Sequence, residues 1–351
     1  MKKRGRAKIN YSQDMALVGS KQQWSAVAIF LVLLAALPTL LGLSHNMNWV
    51  TFLNITFIII IAVLGLNVIT GMAGQISLGH SAFIMVGGYT LATLAIKADW
   101  PFWAALAAAT IITGVIGFLV AIPSARLRGF YVAVVTLAFF FIAQYIIRNL
   151  EVAGGIHGLM GIPYPTIGGL KINTDTKWYY LLLGLSTICV MASANIARSR
   201  LGRAFRAVRD NDITAASLGI NVRFTKLRAF FVGSLFAGLG GGLLASYVSV
   251  VRLDQFTVWD SIWYVGMIII GGAGSTAGAV MGIVFLRLIS QILHAISLAS
   301  GTTIISSNLS VTLTYGLYGL VIVLFISFQP YGLIALWRKI RINYKRWPFG
   351  Y

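Results

Sequence analysis

The chain has 351 residues, 58% of them hydrophobic and only 10% charged, yet 27 Lys and Arg against 8 Asp and Glu give a net charge of +19. So few charges exclude an ordinary soluble protein, and so much apolar content excludes a disordered basic chain. The single cysteine, Cys189, excludes a disulfide framework. A nucleic-acid-binding protein would need the basic residues gathered in one domain.

Long apolar stretches recur along the chain, and crossing a bilayer as an α-helix takes roughly 20 such residues. The predicted spans are residues 26–43, 50–69, 76–96, 102–122, 130–147, 178–197, 229–251 and 309–328, with a longer apolar segment over 259–293. Glycines divide that longer segment into two elements. The pattern predicts an all-α polytopic membrane protein with about 8–10 transmembrane helices, some of them glycine-broken, the lower counts applying if the broken pieces are re-entrant.

The basic residues lie between the spans and not in one domain. Four stretches hold 21 of the 27 Lys and Arg residues, namely 1–24, 126–128, 198–228 and 338–346. Cytoplasmic loops of membrane proteins are enriched in Lys and Arg. A ten-span topology places all four stretches in the cytoplasm, together with both termini, and the loop 148–177 on the other side. This distribution disfavours nucleic-acid binding.

The spans contain few groups for chemistry. None of the eight acidic residues falls in the middle of a predicted span, which disfavours a proton-coupled transporter. The sequence contains no Gly-x-Ser-x-Gly motif, no phosphate-binding Gly-x-x-x-x-Gly-Lys-Ser/Thr motif and no paired metal ligands. We therefore expect no catalytic residue, metal or cofactor in this chain, and uphill transport would draw its energy from a partner.

Two glycine-rich interruptions are candidate parts of a solute path. The first contains Asn67, Gly71, Gly74, Gln75, Ser77 and His80, and the second contains Gly271, Gly272, Gly274 and Ser275. Broken helices at membrane depth free backbone N–H and C=O groups to bind a solute, and a half-helix N-terminus suits a carboxylate. The glycines equally suit close helix packing, and His80 equally suits a hydrogen bond between two helices.

The loop 198–228 contains a third constellation. Arg203, Arg206 and Arg209 recur every third residue and predict one face of a helix. Asp210 or Asp212 offers an N-cap to a second, short helix over residues 213–218, and Gly219 offers its end. Such a slim, capped helix suits a groove on a soluble partner, whereas a plain basic loop against anionic lipid is the alternative.

Four motifs, in order over roughly residues 50–330, resemble the permease subunits of ABC importers for branched-chain or hydrophobic amino acids. They are the stretch 65–89, the run Arg-Gly-Phe-Tyr-Val-Ala-Val-Val-Thr-Leu-Ala-Phe at 128–139, the segment 199–221 and the glycines from 271 to 278. The sequence resembles the family member with the longer amino-terminal part, the M-type (LivM-like) subunit, more than its shorter H-type partner. Where the family commonly has Glu and often a second acid, this chain has Asp212 and Ser217.

The resemblance implies a transport subunit without enzymatic activity of its own. Residues 1–25 would be a basic cytoplasmic segment, 26–330 a single transmembrane permease domain, and 331–351 a basic cytoplasmic tail. The implied partners are an H-type permease subunit, two cytoplasmic ATPase subunits that bind ATP, and a periplasmic or lipid-anchored solute-binding protein. The implied location is the inner membrane. The implied mechanism is alternating access, driven by the ATPases.

The resemblance also implies which residues couple transport to ATP hydrolysis. The ATPase-coupling residues would be Arg203, Arg206, Arg209, Asp210, Asn211, Asp212, Ala215, Ala216 and Gly219. Family members also import urea, amides and other small solutes, so the transported solute stays open, and a secondary transporter or channel independent of ATP is the more distant alternative. A bulky residue at Ala215 or Gly219 is expected to uncouple ATP hydrolysis from uptake without preventing membrane insertion.

Overall fold

The structure is a computed structural model that describes residues 25, 32–39, 47–127, 129–155, 157–299, 316, 319–325, 327–329 and 332–346. The predicted basic segment 1–24, more than half of the predicted span 26–43, half of the predicted span 309–328, and Arg128 lie outside the described residues. Within these limits residues 32–39 are helical.

Eleven α-helices account for most of the described chain. They are α1 (Met47–Leu66), α2 (His80–Lys97), α3 (Phe102–Ser124), α4 (Phe130–Asn149), α5 (Asp175–Arg198), α6 (Arg200–Asp210), α7 (Asp212–Ser217), α8 (Val222–Val248), α9 (Val258–Gly271), α10 (Thr276–Ala299) and α11 (Gly332–Arg346). A π-helix (Asn67–Met72) continues α1, and 3-10 turns occupy Glu151–Ala153 and Leu253–Gln255.

Four two-residue strands form two antiparallel pairs in the connections. In one pair β1 (Leu159–Met160) lies beside β4 (Val250–Val251), and in the other β2 (Thr166–Ile167) lies beside β3 (Leu170–Lys171). These pairs satisfy backbone groups in loops and add no layer to the fold.

Five helices in the described chain are long and apolar enough to span a membrane: α1 with its π-helical extension, α3, α4, α5 and α8. A sixth span results if α9 and α10 count together, although they meet at an angle of 118°. The predicted division of the segment 259–293 into two elements is confirmed, and so is the all-α polytopic membrane fold. The total of 8–10 spans stays a prediction because at least half of each of two predicted spans, 26–43 and 309–328, lies outside the described residues.

One predicted boundary is wrong. Helix α2 begins at His80 and not at residue 76, because residues 73–79 are not helical. Gly74 has a positive φ of 70°, a backbone conformation that ends a helix. The apolar residues of this stretch therefore gave no indication of where the helix begins.

Helix α8 is the centre of the bundle and packs against α1, α2 and α3. Its glycines make these contacts close: a Cβ at Gly241 would collide with the carbonyl oxygen of Ile84, and a Cβ at Gly238 would lie 2.7 Å from Thr113 Cβ. Association of membrane helices depends on such close backbone approach, because lipid is as apolar as the side chains.

The helix ends define two opposite ends of the bundle. We call the end that contains residues 125–127 and 199–228 the basic end. There the Lys226 ammonium donates to the Leu127 carbonyl at 3.4 Å. At the opposite end Trp103 donates to the Thr166 carbonyl at 2.9 Å and Ser246 to the Pro163 carbonyl at 3.0 Å. The Arg126 loop and the loop 198–228 therefore lie at one end of the bundle and the loop 148–177 at the other, in agreement with the predicted topology. The side of the membrane that each end faces stays a prediction.

Candidate functional site

The two glycine-rich interruptions are in direct contact, although about 200 residues separate them. We call residues 71–79 the first break and residues 271–275 the second break. Asn67, in the π-helix, accepts a hydrogen bond at its Oδ1 from the Gly274 backbone N–H at 3.0 Å. Gly71 has no room for a Cβ, because the backbone of Gly274 occupies that space. The sequence prediction of paired elements is consistent with this contact.

Arg209 from the end of α6 lies against both breaks. Its Nη1 donates to the Gly71 carbonyl at 2.8 Å, and its Nε donates to the Asp210 carboxylate at 3.2 Å. A Cβ at Gly74 would lie 2.6 Å from Arg209 Cγ, and a Cβ at Gly274 would lie 2.7 Å from Arg209 Nη1. A predicted coupling residue thus contacts the predicted solute path, whereas sequence reasoning treated the two sites separately.

These contacts place Gly71 and Gly74 at the basic end of the bundle. The sequence had predicted that the first break lies deeper, within the membrane. His80 lies deeper, since its Nε2 is 2.9 Å from the Ala62 carbonyl oxygen. Ala62 lies nine residues before Gly71 along α1 and its π-helical continuation, or about 13 Å at the α-helical rise of 1.5 Å per residue. The first break therefore runs from the basic end back into the bundle, and His80 bridges two helices by a hydrogen bond.

Unpartnered polar atoms line the first break. Gln75 and Ser77 are buried, as are Asn67 and His80, with at most 6% of each residue exposed. Within the described chain Asn67 Nδ2, Gln75 Oε1, Ser77 Oγ and His80 Nδ1 have no hydrogen-bond partner. A buried polar atom without a partner costs about 1–3 kcal/mol. These atoms are therefore the ones that a polar solute or water would satisfy.

The second break turns the chain between α9 and α10. Gly271 and Gly278 touch through their backbones, because a Cβ on Gly271 would collide with the Gly278 carbonyl. Ser275 Oγ accepts from the Gly278 N–H at 3.2 Å in the first turn of α10. Gly272 contacts the start of α11, where a Cβ on Gly332 would lie 2.5 Å from the Gly272 nitrogen. The predicted basic tail therefore begins against the second break.

Sequence reasoning missed a junction of two helix N-termini inside the bundle. Ser81, in the first turn of α2, donates its backbone N–H to Ser261 Oγ at 3.0 Å, and the two hydroxyl oxygens lie 2.8 Å apart. The Ser81 hydroxyl also donates to the Thr257 carbonyl at 2.8 Å. Thr257 and Asp260 form a capping box at the start of α9. The Thr-x-x-Asp spacing was the available signal for this helix start.

The predicted short helix exists, but its N-cap is different from the prediction. Asn211 Oδ1 accepts from the backbone N–H groups of Ile213 at 2.9 Å and Thr214 at 3.1 Å. Asp210 and Asp212 are therefore wrong as N-caps, because the chain leaves α6 with Asn211 alone in the extended conformation that an N-cap needs. Gly219 ends α7 with a positive φ of 81°, as predicted.

The three arginines of α6 do not act together. Arg203 donates to the Arg198 carbonyl at 2.9 Å, and Arg206 donates to the Ala197 carbonyl at 3.0 Å. These are carbonyls of the last turn of α5, where cations offset the negative end of the helix dipole. Arg209 contacts the breaks instead. Among the described residues, Arg209 thus contacts the predicted solute path, whereas Arg203 and Arg206 donate to the end of α5.

Helix α7 is anchored on one side and bare on the other. Asp212 makes an ion pair of 3.0 Å with Lys226 of α8, and Ala215 is 1% exposed. Ile213 and Leu218 are 68% and 74% exposed, and Ala216 is exposed beside them. Sequence reasoning named Ala215 and Ala216 together and missed the two large apolar residues. We call Ile213, Ala216 and Leu218 the α7 face.

A known protein family matches most of the chain, including both breaks and α7. The family described as "Branched-chain amino acid transport system / permease component" matches residues 48–326. The chain is 31% identical over 290 residues to the high-affinity branched-chain amino acid transport system permease protein LivM of Escherichia coli (strain K12), covering 76% of this chain and 68% of that protein.

More distant relatives extend this picture. The chain is 24% identical to the probable branched-chain amino acid transport permease protein LivM of Methanocaldococcus jannaschii, over 66% of this chain and 67% of that one. It is 27% identical to the autoinducer 2 import system permease protein LsrC of Salmonella typhimurium, over 39% and 38%. No solved structure matches the chain.

Proposed function

The chain belongs to the family of permease components of branched-chain amino acid transport systems, and from that premise we propose that it is the M-type permease subunit of an ATP-driven ABC importer. It moves branched-chain or other hydrophobic amino acids across the inner membrane by alternating access. Its basic end faces the cytoplasm, which the positive-inside rule supports. Both termini lie on that side.

One observation carries the proposal: a short, capped helix presents a bare apolar face at the basic end while its other side is fixed to the bundle. Ile213 and Leu218 are exposed on α7, and Asp212 and Ala215 hold α7 in place. An exposed apolar face on a rigid support is typical of a protein-binding site. We assign the α7 face to an ATPase subunit, one of two, each of which serves one permease subunit.

The alternative reading, a basic loop against anionic lipid, is less well supported by the geometry. Arg203 and Arg206 donate to carbonyls of the last turn of the neighbouring helix α5. Arg209 donates to Gly71, away from the α7 face. Basic side chains engaged in this way are less free to bind phosphate groups of lipid, whereas the bare face is apolar.

A photo-crosslinking amino acid at position 218 tests the docking of the ATPase. The complex holds the H-type permease subunit, the two ATPase subunits and the solute-binding protein. We expect a covalent adduct with the ATPase from position 218 and none from position 170, because Leu170 is also 70% exposed but lies in β3 at the opposite end. An ATPase adduct from 170 and none from 218 would overturn the assignment.

The proposed solute, a branched-chain amino acid, is supported by the names of the relatives and by the polar atoms of the first break. Two LivM relatives are named for branched-chain amino acids. Donors such as Asn67 Nδ2 suit a carboxylate, and acceptors such as Gln75 Oε1 suit an ammonium group. Uptake of labelled leucine, compared with urea, by the reconstituted complex tests this assignment.

A further inference from the structure

We propose that Arg209, Gly71 and Gly274 form the cytoplasmic gate of the solute path, and that movement of α7 opens it by withdrawing the Arg209 side chain. The inference rests on the proposed function and adds to it the residues that connect the ATPase to the path. We call these three residues the gate contact.

The gate contact joins three segments of the chain in one place. The Arg209 guanidinium donates to the Gly71 carbonyl at 2.8 Å, and the same guanidinium lies where a Cβ on Gly274 would be, 2.7 Å from Nη1. Asn67 holds the second break from the other side through the Gly274 N–H at 3.0 Å. The first and second breaks are thus closed on each other at the basic end, with Arg209 across the seam.

The position of Arg209 in the chain links the gate contact to the docking helix. Arg209 is in the last turn of α6, and Asn211, two residues later, caps α7. A rigid short connection transmits displacement, because few dihedral angles are free to absorb it. When an ATPase subunit pulls the α7 face, the Arg209 side chain therefore moves with it.

The contact is built to separate without disturbing the core. Arg209 has a side chain that is 36% exposed, so water can hydrate the guanidinium when it leaves Gly71. Gly71 and Gly274 meet through backbone atoms, so no interdigitated side chains need to repack when they part. Opening would uncover the unpartnered polar atoms of the first break to the cytoplasm.

Passive leakage of solute tests the gate. Proteoliposomes that hold the full complex are loaded with labelled leucine, and efflux is followed without ATP. Replacing Arg209 by Gln removes a charge-assisted hydrogen bond, so we expect efflux to rise roughly ten- to hundredfold. Arg206→Gln is the matched control for passive efflux, because Arg206 lies one turn away on α6 and donates to the carbonyls of Ala197 in α5 and Gly202 in α6.

Four outcomes separate the hypotheses. Efflux from Arg209→Gln vesicles at the level of the parent complex overturns the gate, and so does equal leakage from Arg206→Gln. A parent complex that shows no ATP-dependent leucine uptake overturns the proposed function itself. A merely structural role for Arg209 would reduce the amount of assembled complex without raising efflux per complex.

Hydrogen exchange on the parent complex is a second test of the gate, which applies even if the Arg209→Gln complex does not assemble. Binding of a non-hydrolysable ATP analogue should increase amide exchange in a peptide covering the second break, residues 271–275, because the Gly274 N–H loses Asn67. A peptide from the centre of α8, residues 233–245, should not change. Equal protection of residues 271–275 with and without the analogue overturns the gate.

Discussion

The Lys226 ammonium lies 3.0 Å from the Asp212 carboxylate and joins α7 to the central helix α8, with the Lys226 side chain only 3% exposed. The same ammonium donates to the Leu127 carbonyl at the end of α3. One buried cation thus fixes the docking helix to two elements of the bundle, and the position of α7 depends on it.

Replacing Asp212 by Asn should therefore destabilise the protein. The substitution leaves the Lys226 charge buried without its carboxylate, which typically costs about 3–5 kcal/mol. We expect a lower thermal midpoint in detergent, measured by intrinsic fluorescence, and less ATPase subunit retained during purification.

Asp254→Asn is the matched control for this prediction. Asp254 pairs with Arg252 at 3.3 Å, but both side chains are more than half exposed, at 66% and 51%. Exposed pairs contribute about 0–1 kcal/mol, so the thermal midpoint should hardly change. Equal effects of the two substitutions would show that the buried pair does not anchor α7.

Replacing Asn211 by Ala should loosen the coupling between ATP hydrolysis and uptake. Loss of an N-cap costs about 1 kcal/mol, a large share of the stability of a helix of 6 residues. We expect more ATP hydrolysed per leucine transported, with the complex still assembled. Asn211→Asp keeps the capping oxygen and should keep the parent ratio; a raised ratio in Asn211→Asp and not in Asn211→Ala would contradict the capping role.

Substitutions on the α7 face should leave folding intact but weaken the docking of the ATPase. Leu218→Asp places a charge where we assign the ATPase, so the affinity for the ATPase should fall at least roughly tenfold, since burying a leucine contributes about 1.5–3 kcal/mol. Titration of the ATPase onto the permease pair measures this. Leu170→Asp, at the opposite end, should leave the affinity unchanged, and equal losses from both variants would refute the α7 face.

The structure changes what is expected of Ala215. The sequence predicted that a bulky residue there would leave insertion intact and uncouple the transporter. Ala215 is buried, so a larger side chain overpacks the contact between α7 and the bundle, at a cost of typically 1–3 kcal/mol. Ala216, which is exposed, is the better position for a bulky probe of docking.

Replacing Gly241 by Ala should disrupt the bundle. The added methyl group meets the Ile84 carbonyl, and both backbones would have to separate. We expect a clear loss of folded protein in detergent. Gly184→Ala, in α5, is the control, because a Cβ there meets nothing within 4 Å; Ala has the higher helix propensity, by about 1 kcal/mol, so this variant should be neutral or stabilised. Similar losses at both positions would contradict close packing at Gly241.

The sequence predicted the helices well where apolar runs were long, as for α3 and α4, because hydrophobic length decides those elements. It predicted that α7 exists and ends at Gly219, because a positive φ favours glycine. It offered Asp210 or Asp212 as the cap and missed Asn211, since all three side chains can accept the same hydrogen bond.

The contacts within the site depend on tertiary structure, so they could not be predicted from the sequence. The three arginines of α6 recur with the same spacing, so the sequence does not distinguish Arg209 from Arg203 and Arg206. The fold shows that the Arg209 side chain contacts Gly71. The Ser81–Ser261 contact joins residues 180 positions apart, for which a single sequence carries no signal.

Uptake of labelled leucine into proteoliposomes tests the central claim most directly. The vesicles contain this chain, an H-type permease subunit, the two ATPase subunits and the solute-binding protein, and ATP is present on the side of the basic end. We predict leucine accumulation against its gradient that stops when ATP is withheld and that urea does not reproduce. Leucine accumulation that continues without ATP, or ATP-driven accumulation of urea in place of leucine, would contradict the account.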